Sequence, residues 1–180
     1  MNMPSRLLAA LSAAILAGCA GINAASMTPE FAPMRRVAAS LSVRVLPIED
    51  TPSRNRVPAA IKGKMFREIL VNSLRRHSLL REVVTDGDAD LVLRVVLMQQ
   101  NVVYGPDLKA FETRREMIAE YVLMDSATGA VVWSDHIRSA SSIRAMGGNA
   151  RITKSSEGAV RENLRALLKA ADEHWPATTQ

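Results

Sequence analysis

Three consecutive runs in the middle of the chain constrain its fold most. Asp90 to Val103, Thr113 to Asp125 and Val131 to about Ile143 each change side-chain character with a period of two. That is the period of a β-strand, whose side chains alternate between faces. In the first run Leu91, Leu93, Val95 and Leu97 share one face, and Val92, Val96 and Met98 the other. Apolar residues on both faces suit a strand in the middle of a sheet. In the second run Arg115, Met117, Ala119, Tyr121 and Leu123 fall on one face. Glu116, Ile118, Glu120 and Val122 fall on the opposite one. Tyr104-Gly105-Pro106-Asp107 breaks the first run from the second. Asp125-Ser126-Ala127-Thr128-Gly129-Ala130 separates the second from the third, with Gly129 free to take positive φ. These features predict an antiparallel three-strand meander.

The flanking segments supply a second layer. Leu41 to Ile48 alternates at its start and reads as a strand, with Pro47 at its end or edge, and Glu49 to Val57 reads as a polar loop. Pro58 suits the first turn of a helix running to about His77. Its apolar stripe is Ile61, Met65, Phe66, Ile69, Leu70 and Leu74, with Lys62, Arg67, Arg75 and Arg76 mainly off it. Arg81 to Thr85 predicts a short strand, and Asp86-Gly87-Asp88 a turn. Met146-Gly147-Gly148-Asn149 ends the meander. Ser156 is the expected cap of a last helix, Glu157 to His174, with the stripe Val160, Leu164, Leu167, Leu168 and Ala171; Trp175-Pro176 stops it. The expected fold is α+β. Two amphipathic helices pack on an antiparallel or mixed sheet of four to five strands, a two-layer sandwich.

The amino terminus reads as an address. Arg6 precedes the apolar run Leu7 to Ala17, the n-region and h-region of a secretory signal. This run is shorter than the roughly 20 apolar residues a membrane-spanning helix needs. It ends in Leu16-Ala17-Gly18-Cys19, which resembles the lipobox of bacterial lipoproteins. The resemblance implies that Leu16, Ala17 and Gly18 are recognised by the signal peptidase and that Cys19 is lipidated. Cys19 is the only cysteine in 180 residues, which excludes an internal disulfide and a thiolate zinc cage. Acyl chains on Cys19 anchor the chain at about 0.8 kcal/mol per buried methylene. Ala20 in place of the Asp common in inner-membrane retention implies the outer membrane, with the domain facing the periplasm. The expected organisation is a signal peptide over 1–18, a lipidated terminus and flexible tether over 19–40, a domain over 41–175 and a tail over 176–180. Such a tether has an r.m.s. reach of roughly 25 Å.

The domain's order of elements resembles small periplasmic lipoprotein domains. They are those of the lipopolysaccharide-assembly lipoprotein, of auxiliary lipoproteins of ABC-type lipid transport, and of curli-secretion-like and TolB-like proteins. Tyr121 to Ser134, with Asp125-Ser126-Ala127-Thr128-Gly129 leading to Trp133-Ser134, and Ala89 to Leu93 carry the likeness. The transport auxiliary group carries a Tyr-x-Leu stretch soon after its lipidated Cys, and Ile22 to Phe31 shows none.

Chemistry-bearing constellations are sparse. His77, His136 and His174 lie far apart on different elements. Asp135 and His136 are neighbours on a strand, so their side chains point to opposite faces. Asp86, Asp88 and Asp90 lack the Gly-then-Glu spacing of a calcium loop and read as a solvated turn. No nucleophile elbow, Walker loop or dinucleotide fingerprint is present. The expectation is therefore no catalytic residue, no metal and no cofactor. The formal net charge is +5, but bases and acids interleave, as in Arg67-Glu68, Arg81-Glu82, Arg114-Arg115-Glu116 and Arg161-Glu162. That pattern reads as a mixed, solvated surface. With aromatics at 4%, nucleic acid is not an expected partner. Arg35-Arg36, Arg54/Arg56 and Arg75/Arg76 are suited to phosphates of anionic lipid or lipopolysaccharide. The leading expectation is a non-enzymatic lipid-anchored binding or assembly module whose partner is an envelope protein complex. The alternative is an auxiliary lipoprotein of lipid or lipopolysaccharide transport.

Overall fold

The computed structural model describes residues 22–34, 40–50, 60–103, 112–144 and 148–176. Its elements run α1 (Ala24–Met27), β1 (Ser42–Val45), β2 (Glu49–Asp50), α2 (Gly63–Arg76), β3 (Glu82–Val84), β4 (Leu91–Val103), β5 (Glu112–Asp125), β6 (Val131–Arg144) and α3 (Gly148–His174). The six strands form one mixed sheet in the order β3-β1-β4-β5-β6, with β2 also paired to β4. The fold is α+β, as expected, with one strand and one short helix more than the sequence indicates.

The meander forms as its alternation predicts. β4, β5 and β6 pair antiparallel, with Leu93 opposite Leu123 and Leu123 opposite Trp133. Leu93, Val95, Leu97, Met117, Ala119, Tyr121 and Leu123 are buried together against the helices. Gly129 takes φ +71, and its N–H donates to Asp125 O at 2.9 Å. The Asp125 carboxylate accepts from the Ala127 and Thr128 N–H groups and from the Thr128 hydroxyl, closing the turn locally. Met98 sits in a β-bulge, where the register with β5 shifts by one, and leans outward instead of holding the alternation.

On the other side of β4 the sheet is parallel. β1 lies between β3 and β4 and is parallel to both. α2 makes the crossover that parallel neighbours require. The connection from β3 to β4 passes β1, and two arginines hold it there. Arg44 donates to Gly87 O at 2.9 Å, and Arg67 bridges Val45 O and Thr85 O.

Glu49 and Asp50, expected in a loop, pair parallel with Val96 and Leu97. Pro47 has no N–H, so the ladder breaks after Leu46 N–H bonds Leu93 O, and it resumes one residue out of step. α2 begins at Gly63, later than the expected Pro58, which lies outside the described residues. Both backbone groups of Ile61 are held by the Gln100 side-chain amide, at 2.8 and 2.7 Å, which keeps this residue outside the helix. Asp50 then accepts from the Gly63 N–H at 3.1 Å, capping α2 from a distant part of the chain.

α3 is 27 residues long and begins at Gly148, so the expected start at Ser156 is corrected. Ser156 lies inside the helix, its hydroxyl donating to Ile152 O. Ser155 makes the same kind of bond to Ile152 O. Helix-neutral serines thus satisfy themselves on the preceding turn, and packing decides the conformation. Val160, Leu164, Leu167, Leu168 and Ala171 form the expected stripe, all buried.

Residues 22–34 fall within the expected tether, but they lie on the domain. Met27 is fully buried in the core, and Ile22, Ala24 and Phe31 pack against it. The folded unit therefore begins before Leu41. Among the described residues no helix is long and apolar enough to cross a membrane.

Candidate functional site

Leu16, Ala17, Gly18 and Cys19 lie outside the described residues, as do Arg35, Arg36, Arg54 and Arg56. The titratable groups that are described do not converge. His77 contacts Pro29 O at 3.0 Å and packs edge-on against Phe31. His136 meets Glu120 at 3.2 Å on the sheet face opposite the helices, and His174 lies beside Glu173. Asp135 accepts from the backbone N–H of His136, and its carboxylate does not orient the imidazole as a catalytic dyad would. Asp90 accepts from Ser42 and Asp86 from Thr85, so these two carboxylates have separate partners. Among the described residues no group of three His, Cys, Asp or Glu is arranged to hold a metal ion.

Among the described residues most arginines have a partner, some within the fold and some on its surface. Arg75, expected to be available for phosphate, donates Nε and Nη2 to Val83 O at 3.1 and 2.7 Å. Arg161 donates to Ser26 O. Arg94, Arg114 and Arg138 pair with Glu120 and Glu116 across the sheet face opposite the helices, and Arg144 pairs with Glu112. Such exposed pairs contribute roughly 0–1 kcal/mol each, so this face is a mixed, solvated one.

Between sheet and α3 lies a buried polar seam that the strand alternation did not reveal. Arg115 is 2% exposed, and its Nε donates to Ser156 Oγ at 3.0 Å. The Tyr121 hydroxyl donates to Asn163 Oδ1, and Asn163 Nδ2 donates to Ile137 O at 2.9 Å. Ser139 donates to Ala159 O. Burial pushes the Tyr121 hydroxyl's pKa far up, so it stays a neutral donor. The seam sets the register of α3 on β5 and β6, and it is sealed from substrate. Its sequence signal was Asn163 on the apolar stripe, one position before Leu164.

Two features face outward with the means to bind. One is the edge of β6. This strand has 14 residues, pairs with β5 on one side, and stands last in the sheet order. It contains no proline, the residue that commonly blocks an edge. Val131 and Val132 at its start are 60% and 42% exposed. The opposite edge differs: β3 has three residues, and Arg75 occupies the Val83 carbonyl. The second feature is the strap formed by residues 22–34. Asn23 N–H donates to Glu157 at 2.7 Å and Met34 N–H to Asp172 at 2.9 Å, with the Arg161 and His77 contacts between. Ile22, with Ala60, Lys62, Lys64, Met65 and Glu68, lines a cleft of about 420 Å³ beside the start of α2. Apolar Ile22, Met27 and Phe31, spaced through small and polar residues, were the available sequence signal for the strap.

No protein-family model matches the chain, and no curated protein sequence matches it. Solved structures do resemble it. A Xanthomonas campestris protein of the DUF330 family is 13% identical with TM-score 0.65, over 82% of this chain and 93% of that one. The CT253 protein of Chlamydia trachomatis is 10% identical with TM-score 0.55, over 72% and 96%. A candidate lipoprotein of Caulobacter crescentus CB15 is 16% identical with TM-score 0.50, over 71% and 88%. At these identities the shared property is the fold, an α+β sandwich found in several bacterial proteins.

Proposed function

We propose that this chain is a non-enzymatic, lipid-anchored envelope protein whose domain serves as a binding or assembly module for an outer-membrane or trans-envelope protein complex. The observation that carries the reading is the 14-residue edge of β6, which pairs with no second strand among the described residues. Such an edge offers a row of backbone donors and acceptors to an added strand, a recurrent mode of protein recognition. The lipobox at Leu16 to Cys19 supports the anchor, and Ala20 supports the outer membrane, with the domain facing the periplasm. The fold shared with a candidate lipoprotein of Caulobacter crescentus agrees with an envelope setting. The separation of the three histidines is compatible with a role other than catalysis. The alternative, an auxiliary lipoprotein of lipid or lipopolysaccharide transport, loses Arg75, whose guanidinium is held by Val83 O, while Arg35, Arg36, Arg54 and Arg56 lie outside the described residues.

A photo-crosslinking residue placed at exposed Ser134, Ala140 or Ser142 in β6 tests this in cells. Crosslinks from these positions to one envelope protein, and none from exposed Lys169 on α3, are the expected result. An absence of adducts from β6, with adducts from α3, would remove the edge as the partner surface.

A further inference from the structure

The strap changes how an anchor at Cys19 would hold the domain. A free chain over 19–40 would let the domain stand roughly 25 Å from the bilayer. The strap removes most of that slack. Its contacts advance in step along both helices: Ile22 lies beside the start of α2 and Phe31 beside His77 at its end. Asn23 meets Glu157, Ser26 meets Arg161, and Met34 meets Asp172 along α3. With Met27 fully buried midway, the strap is part of the folded unit and the position of Ile22 is set by it.

Three Cα–Cα steps separate Ile22 from Cys19, a span of at most about 11 Å. The headgroup layer outside the hydrocarbon core is itself about 5–8 Å deep. We infer that the start of α2, around Ile22, Lys62, Lys64 and Met65, rests on the surface of the bilayer that holds the acyl chains, with anionic headgroups as its contact. This inference rests on the reading that Cys19 is acylated. The chemistry of the surface agrees with the distance. The cleft beside Ile22 is mainly apolar, with half-buried Ile22 and Met65 at its floor. Lys62 and Lys64 are exposed at its rim, and Glu68 is the one acid among its lining residues, while the carboxylates of Asp50 and Glu157 are occupied nearby by the backbone N–H groups of Gly63 and Asn23. Lysines near an anionic membrane surface are attracted to it. The far ends of α2 and α3, near His77 and His174, are the parts farthest from this contact; because α3 starts at Gly148, about 14 Å along its axis before Glu157, the helices lie tilted to the bilayer and not perpendicular to it. Glu173 lies 16 residues beyond Glu157 on α3, about 24 Å along the helix axis.

The test uses the full acylated protein reconstituted into phosphatidylcholine vesicles containing phosphatidylglycerol and a quencher attached to a lipid headgroup. Acylated Cys19 offers no free thiol, so Glu68→Cys and Glu173→Cys each create one labelling position. Quenching of a fluorophore at position 68 is expected to exceed that at position 173 severalfold. Replacing both Lys62 and Lys64 by Glu is expected to lower the quenching at position 68 on these vesicles. Equal quenching at 68 and 173 in protein whose intact mass shows the acyl chains would overturn the orientation and leave the anchor standing. A mass showing an unmodified Cys19 would overturn both.

Discussion

Asp90 and Ser42 clasp each other at the point where β4 enters the sheet beside β1. The Asp90 carboxylate accepts from both the Ser42 N–H and its hydroxyl at 2.7 Å, and the Asp90 N–H donates back to Ser42 Oγ at 3.0 Å. Arg81 adds an ion pair at 3.3 Å. The clasp joins two segments 48 residues apart, the parallel pairing that alternation within one strand cannot specify.

The clasp makes stability depend on acid. The Ser42 backbone and hydroxyl donors, then Arg81, hold the Asp90 carboxyl below its ordinary value. The Thr128 hydroxyl and N–H do the same to Asp125. A carboxyl lowered in the folded state adds stability that is fully present above its unfolded value of about 3.9. That stability is lost as the pH falls through the lower folded value. The urea midpoint is therefore expected to fall as pH drops below about 4, and to fall less in Asp90→Asn. Identical acid dependence in the two proteins would show that the clasp contributes nothing.

Leu164 is fully buried at the centre of the α3 stripe. Leu164→Ala should cost about 2–5 kcal/mol, read from the urea midpoint and slope. An unchanged midpoint would contradict the packing of α3 on β5 and β6.

Gly63 gives a test in which two effects have opposite signs. In an open helix Gly→Ala stabilises by about 1 kcal/mol. Here a Cβ at Gly63 would stand 2.4 Å from Ile48 O, a backbone atom that cannot swing away. Gly63→Ala is expected to lower the melting temperature, because the close approach of α2 to the chain entering β2 outweighs propensity. A higher melting temperature would mean that this approach is looser.

The β5–β6 turn depends on Gly129 at φ +71. Gly129→Val should cost roughly 1–2 kcal/mol or more, since a β-branched residue is strained there. Trp133, packed edge-on to Trp175 with ring centroids 6.0 Å apart, reports the change. Its emission should shift to the red in a Trp175→Phe background. Wild-type stability and emission together would exclude a requirement for positive φ.

The meander, the α3 stripe and the positive φ at Gly129 were legible in the sequence because each depends on neighbours a few residues away. Period-two and period-3.6 patterns record which face is buried, and Gly in a short loop records backbone geometry. The lipobox was legible for a different reason: a peptidase reads an extended stretch, so its signal is local by necessity. The strap was not legible, because small and polar residues in 22–34 have no period and are held by groups more than 100 residues away, Glu157, Arg161 and Asp172. Ser156, inside α3, meets Arg115 across the seam, and the delayed start of α2 is met by Gln100 and Asp50 reaching it from the sheet. The pairing of β2 appears only once β1 has docked on β4 and Pro47 has displaced the register. In each case a long-range contact satisfied a backbone or charged group that the local sequence left open, and only the tertiary structure could choose its partner.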